Sequence, residues 1–210
     1  MNAPAAAPVR VRRAASAEDA ARADFYALLA RFFHAAPDDS LLASLAQAGP
    51  LPADGDPALS RAWQGLVAAS SAMDGDAAHE EFGALFVSTG KAPVSVYAGF
   101  YGGAPAIDHP RVRILNDLAN LGLGRPETVA EPEDHFAGLL EVMRILAAGG
   151  AGRDPATVAQ QRAFYQAHLE PGISKFFAAV AAAPGANYYR QVAAVGAAFA
   201  ALESESFKLD

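Results

Sequence analysis

The chain has 210 residues, 52% hydrophobic and 19% charged, with 18 Gly and 14 Pro spread as punctuation; that excludes a disordered or fibrous chain and leaves one long enough to bury its own core. A formal net charge of −7 argues against a surface that tracks nucleic-acid phosphates. The lack of any cysteine excludes disulfides, thiolate metal sites and a Cys nucleophile. No apolar run approaches the ~20 residues that cross a bilayer, and with roughly a quarter of the residues alanine, helices are favoured over strands.

Residues 1–15 are Ala, Pro and Arg without an apolar period and read as a disordered tail. Arg12 and Arg13 form a twin-arginine pair, but the charged segment AEDAARAD follows where an export signal needs an apolar one. Ser16 with Asp19 then opens a helix whose Phe25, Leu28, Leu29, Phe32 and Phe33 recur at helical spacing up to Pro37. A short helix from Asp38 carries Leu41, Leu42 and Leu45, and Asp56-Pro57 starts a third, with Trp63 as a core residue, that runs to about Met73. Asp74 or Asp76 opens a fourth, with Phe82, Leu85 and Phe86 on one side.

Helical period fails over residues 88–110, a Gly- and Pro-rich stretch whose Tyr97, Phe100 and Tyr101 argue for an ordered loop. Further helices are expected at about 111–121, at 132–148 begun by Pro132, at 155–169 begun by Asp154 and Pro155, and after Pro171 and Asn187. The expected fold is an all-α bundle of about nine helices in two lobes, about 16–105 and 106–210, joined by the long loop.

The densest chemical cluster is EPEDHF, residues 131–136. Glu133 and Asp134 in a first helical turn would complement its free N–H groups and its dipole. The segment is either a helix cap in which His135 is incidental or, with His135 beside Asp134 at a loop-to-helix junction, a binding or catalytic site, and the residues alone leave both open. Di-metal spacing is absent, since no Glu is followed three residues later by His, and no nucleophile elbow, P-loop or dinucleotide fingerprint occurs. Ser88, Thr89 and Ser95 lack a positioned base in sequence. The rings and apolar residues Phe82, Leu85, Phe86, Tyr97, Phe100 and Tyr101, next to Gly99, Gly102 and Gly103, suggest an apolar groove rimmed by Asp134 and His135, suited to a peptide.

Taken in order, FGALF (82–86), APVSVY (92–97), EPEDHF (131–136), LLEVM (139–143), QRAFYQAHLEP (161–171) and NYYRQVA (187–193) resemble the TorD-like redox-enzyme maturation chaperones, which include the DmsD and NarJ groups, over about Asp24 to Leu202. The resemblance implies an all-helical cytoplasmic protein, not an enzyme and without a cofactor of its own. Such a protein binds the twin-arginine signal peptide or apoprotein of a molybdenum-cofactor oxidoreductase, assists cofactor insertion and holds back export. It implies a peptide site at Glu131, Pro132, Asp134 and His135, with Phe82, Leu85, Phe86, Ser95 and Tyr97 in matching elements, and a monomer or homodimer that binds no nucleic acid and does not insert in membranes. Val94 stands where the family usually has Glu, and Gly172 where it often has Trp. The competing reading is a nucleotide (GTP) hydrolase or metal-dependent enzyme using Asp134 and His135, and weak nucleotide binding is compatible with either.

Overall fold

The short polar residues that open the first four expected helices do so by the same chemistry. Ser16, Asp38, Asp56 and Asp74 each accept the backbone N–H of the residue three positions on, satisfying one of the donors that a helix start leaves over. The computed structural model describes residues 14–87, 91–102, 110–124, 131–150 and 152–209. It contains α1 (Ala17–His34), α2 (Asp39–Ala46), α3 (Pro57–Ser70), α4 (Gly75–Phe82), α5 (Ala98–Tyr101), α6 (Pro110–Asn120), α7 (Phe136–Ala148), α8 (Val158–His168), α9 (Ile173–Ala182) and α10 (Tyr188–Leu209). The fold is all-α, and no strand occurs among the described residues. The tenth helix, beyond the nine expected, is the single turn α5 inside the aromatic loop. The tail with Arg12 and Arg13, and Ser88 and Thr89, lie outside the described residues.

Two starts fall later than the sequence suggests. α7 begins at Phe136 rather than Pro132, because Asp134 and Phe136 lend their backbone to the loop: the Ala98 N–H donates to the Asp134 carbonyl (2.8 Å) and the Phe136 N–H to that of Val96 (2.9 Å). α8 begins at Val158, behind a reciprocal capping box of Thr157 and Gln160. Asp154, Pro155 and Ala156 instead turn back over the end of α7, where the Ala156 N–H donates to the Leu146 carbonyl (2.8 Å).

The helices of the two expected lobes interleave. α1 packs along α7, and α10 packs on α3 and α9. α10 is the central element, burying Tyr188, Tyr189, Val192, Val195 and Phe199, and Gly196 lies so close to the ring of Phe177 that a Cβ there would enter it. The start of α10 is held by the carboxylate of Glu81 on α4, which accepts the N–H groups of Asn187, Tyr188 and Tyr189 at 2.9, 3.1 and 2.8 Å. A carboxylate at a helix N-terminus combines three hydrogen bonds with a favourable dipole.

α1 is locked to α10 by a buried ion pair. The Arg22 guanidinium donates to both oxygens of Glu203, each at 2.7 Å, and to Gln161 of α8 at 2.9 Å, while the Tyr26 hydroxyl donates to Glu203 at 2.5 Å. Burial lowers the guanidinium's pKa, but the bond and charge of Glu203 outweigh it and the net shift is upward. Removing one partner strands the other charge in the interior. Arg22→Ala is therefore expected to cost about 3–5 kcal/mol, read as a lowered midpoint of urea unfolding, whereas the apolar double replacement Arg22→Met/Glu203→Leu should recover much of that loss.

Candidate functional site

α1 and α7 leave an open groove of about 570 Å³ along their shared side. Its walls are two stripes with the same helical spacing: Ala27, Ala30, Arg31 and His34 on α1, and Gly138, Glu141, Val142 and Ile145 on α7. Leu118, Leu123 and Gly124 close one side, and Glu131, Pro132, Glu133 and His135 of the linker close another. The lining is mostly apolar with a charged rim. Arg153 holds the end of α6 in place by donating to the carbonyls of Leu121 and Gly122, the latter at 2.7 Å. Asp117 does the same from α6 to α8 through His168 Nε2, 2.7 Å away.

The signature segment divides its side chains between the groove and the loop behind it. Glu131 stands at the rim, its carboxylate 3.8 Å from His34 Nδ1 across the groove. The Pro132 carbonyl accepts the His135 N–H at 3.0 Å, making the turn that precedes α7. Glu133 pairs with Arg111 of α6 at 3.1 Å. Asp134 turns away from the groove: its carboxylate lies 3.9 Å from Arg111 Nε and close against Gly99, where a Cβ would be 3.1 Å from Oδ2.

His135 does two things. Its Nδ1 accepts the Ala137 N–H at 3.1 Å, making it the N-cap of α7, and its ring meets Tyr97 edge-on with centroids 5.5 Å apart. A ring nitrogen that accepts carries no proton, so the cap requires neutral imidazole with its proton on Nε2. Burial holds the pKa of His135 below its ordinary value, a downward shift that Glu131 opposes, His34 reinforces and Asp134 opposes.

Ser95, Tyr97, Asp134 and His135 are thus brought together, as the sequence suggests, through an isolated antiparallel bridge between Tyr97 and His135. Tyr97 is exposed, and the Ser95 hydroxyl accepts the Tyr97 N–H at 3.3 Å while the Ser95 carbonyl accepts the Tyr101 hydroxyl at 2.9 Å. Phe82, Leu85 and Phe86 are not brought to the groove. A π-turn over Gly83–Val87 extends α4 and rolls Leu85 and Phe86 inward; the Phe86 ring packs on Phe33, Phe82 and Tyr189 at centroid distances of 5.8, 5.2 and 5.1 Å. None of the three forms a wall of this groove: Leu85 and Phe86 lie in the core and Phe82 is half-buried against it.

Two departures from the family pattern have physical explanations. Val94 is buried and its N–H donates to the Leu85 carbonyl at 3.2 Å, a place where a Glu would bring an unpaired carboxylate into the core. At Gly172 a Cβ would sit 3.0 Å from that of Tyr101 and 3.6 Å from the ring of Phe136, so these rings fill the space of a larger side chain. Trp63 is only partly buried, donating its indole N–H to the Gly49 carbonyl at 2.9 Å.

The α1 wall was missed by sequence reasoning. Its signal was present in Ala27, Ala30, Arg31 and His34 at i, i+3, i+4 and i+7, but small residues next to a run of phenylalanines do not stand out. Among the described residues, no three His, Asp or Glu side chains converge as metal ligands, and no helix is long and apolar enough to cross a membrane.

The family described as Nitrate reductase delta subunit matches residues 53–178, well over half of the chain. The chain belongs to that family, which is one of molybdoenzyme maturation chaperones, in agreement with the TorD-like resemblance. The match includes the linker and the α7 wall of the groove, while α1 lies before it. No curated protein matches the chain.

The neutral cap sets a pH dependence. His135 has a lowered pKa in the folded state, so the unfolded chain takes the proton first; the stability it contributes is present above pH ~6.5 and declines as the pH falls towards the folded value. Burial shifts His168 in the same direction. Thermal unfolding should therefore show a melting temperature that drops on acidification below pH ~6.5, and a shallower drop in His135→Asn, whose amide oxygen can cap without titrating. His135→Ala should lose about 1 kcal/mol at neutral pH.

Proposed function

We propose that the groove between α1 and α7 receives the twin-arginine signal peptide of a molybdenum-cofactor oxidoreductase in the cytoplasm, holding the apoprotein from export while its cofactor is inserted. The observation that carries this reading is the combination of an apolar floor with three glutamates, Glu131, Glu133 and Glu141, in its lining. A leader with adjacent arginines and an apolar run presents the complementary pattern, so charge steers it and apolar area retains it.

Burial of ~400 Å² of apolar peptide surface at ~25 cal/mol per Å² contributes about 10 kcal/mol gross. Ordering the peptide and restricting its motion offset several kcal/mol, which leaves affinity in the micromolar range. That suits a chaperone that must let go. Of the residues expected from sequence, Glu131, Pro132 and His135 contact the peptide in this reading. Asp134 holds the loop, with Ser95 and Tyr97, against the start of α7.

The test is titration of a labelled leader peptide. Gly138 is exposed and a Cβ there meets nothing within 4 Å, so Gly138→Trp fills the groove without disturbing the core. It should weaken binding at least about tenfold, or by ~1.4 kcal/mol, at an unchanged or higher melting temperature. Glu131→Gln/Glu141→Gln should weaken binding severalfold and flatten its dependence on salt. Phe86→Ala should instead cost ~3–5 kcal/mol of stability while the fraction still folded binds with wild-type affinity. A Gly138→Trp protein that binds as the wild type does would refute the groove as the site.

A further inference from the structure

The groove has unlike ends. α1 and α7 run antiparallel along it: His34, the last residue of α1, stands 3.8 Å from Glu131 just ahead of α7, while Arg22, near the start of α1, bonds Gln161 of α8, beyond the far end of α7. We infer that a leader lies in the groove in one direction only, with its arginines at the linker end, where Glu131 reads them, and its apolar run towards Val142 and Ile145. This rests on the reading of the groove as the site for an arginine-bearing peptide.

The charges of both walls carry the direction. Arg31 and His34 of α1 and Glu131, Glu133 and His135 of the linker all stand at that end of the lining. Arg31 is paired with Asp38, outside the lining, at 3.1 Å, and Arg111 lies 3.1 Å from Glu133 and 3.9 Å from Asp134. With histidines neutral at pH 7, the carboxylates of Asp38, Glu131, Glu133 and Asp134 meet only the guanidinium groups of Arg31 and Arg111, which leaves that end negative among the described residues. The half-charges of the α1 C-terminus and the α7 N-terminus have opposite signs and offset one another. Farther along, Glu141 is matched by Arg144, which donates to both its oxygens at 2.8 and 2.7 Å. Beyond that pair the lining is Ala27, Val142 and Ile145.

Accessibility selects Glu131 among the acids. The side chains of Glu133 and Asp134 are 8% and 11% exposed beside Arg111, whereas that of Glu131 is 39% exposed at the rim. A carboxylate accepts several donors, so a leader guanidinium can pair with Glu131 through two hydrogen bonds whatever neighbours it keeps. The reverse direction would press the apolar run over Arg31, Glu131 and Glu133, stripping them of water, and lay the leader's arginines on Val142 and Ile145. The spans Ala27–His34 and Ala137–Ile145 measure about 10 and 12 Å at 1.5 Å per residue, a length that an extended chain covers in about four residues. The arginines and the residue four beyond them therefore occupy opposite ends.

Two measurements on the full chain test this. The chain has no cysteine, so His34→Cys and Ile145→Cys each place a single thiol, at the linker end and at the far end. In a glutathione redox buffer, a leader with a cysteine directly before its two arginines should form a disulfide with His34→Cys about tenfold faster than with Ile145→Cys, through its higher local concentration there. A cysteine four residues after the arginines should show the opposite preference. The inverse pattern, or equal rates at both ends, overturns the direction and leaves the groove reading standing. A leader that binds yet cross-links at neither end, or that does not bind the wild type, overturns the groove reading itself.

The second measurement isolates Glu131. Replacing both leader arginines by glutamine should weaken binding about tenfold to the wild type and to Glu141→Gln, but by less than about twofold to Glu131→Gln, whose partner is already gone. Equal losses in Glu131→Gln and Glu141→Gln overturn Glu131 as the residue that reads the arginines.

Discussion

The carboxylate of Glu203 sits inside the bundle, where an uncompensated charge could not stay. Arg22 neutralises it with two parallel hydrogen bonds, Tyr26 adds a third, and Gln161 takes one of the remaining guanidinium protons. Arg22 and Tyr26 belong to α1, Glu203 to α10 and Gln161 to α8, so one cluster fixes α1 against two helices that follow more than a hundred residues later. Buried ion pairs add little net stability compared with apolar packing, but satisfying all their partners restricts the number of arrangements the helices can take. Here the arrangement selected is the one that lays the second half of α1 beside α7.

The groove follows from that placement together with the choice of small residues. α1 and α7 bury large side chains on their inner faces and carry Ala27, Ala30 and Gly138 on the sides that line the groove. Helices whose contact is made by bulky residues on one side and by small ones on the other leave a trough where the small ones lie. The α7 wall is held by the His135 cap, and the loop that supports that cap is held by Asp134, Val96 and Ala98. The signature segment thus acts chiefly as a joint: Glu131 and His135 face the groove, while Asp134 secures the joint from behind.

This division of labour explains why an acid next to an imidazole need not mean proton-transfer chemistry. His135 accepts a backbone N–H through Nδ1, so its basic nitrogen is already engaged, and burial lowers its pKa.

Sequence by itself determined the helical class, most helix starts, and the signature segment at a helix N-terminus, because caps and 3.6-residue periodicity are local: Ser16, Asp38, Asp56 and Asp74 act on N–H groups three residues away. Only the tertiary structure decided which residues share a surface. Phe82, Leu85 and Phe86 have the same periodicity whether they face a ligand or the core, and the π-turn together with Tyr189 turns Leu85 and Phe86 inward. Pro132 looked like a first helical residue until the backbone of Asp134 and Phe136 was claimed by a loop more than thirty residues earlier. The α1 wall was invisible for the same reason: a stripe of alanines becomes a groove only when another helix, more than a hundred residues away, stops short of covering it.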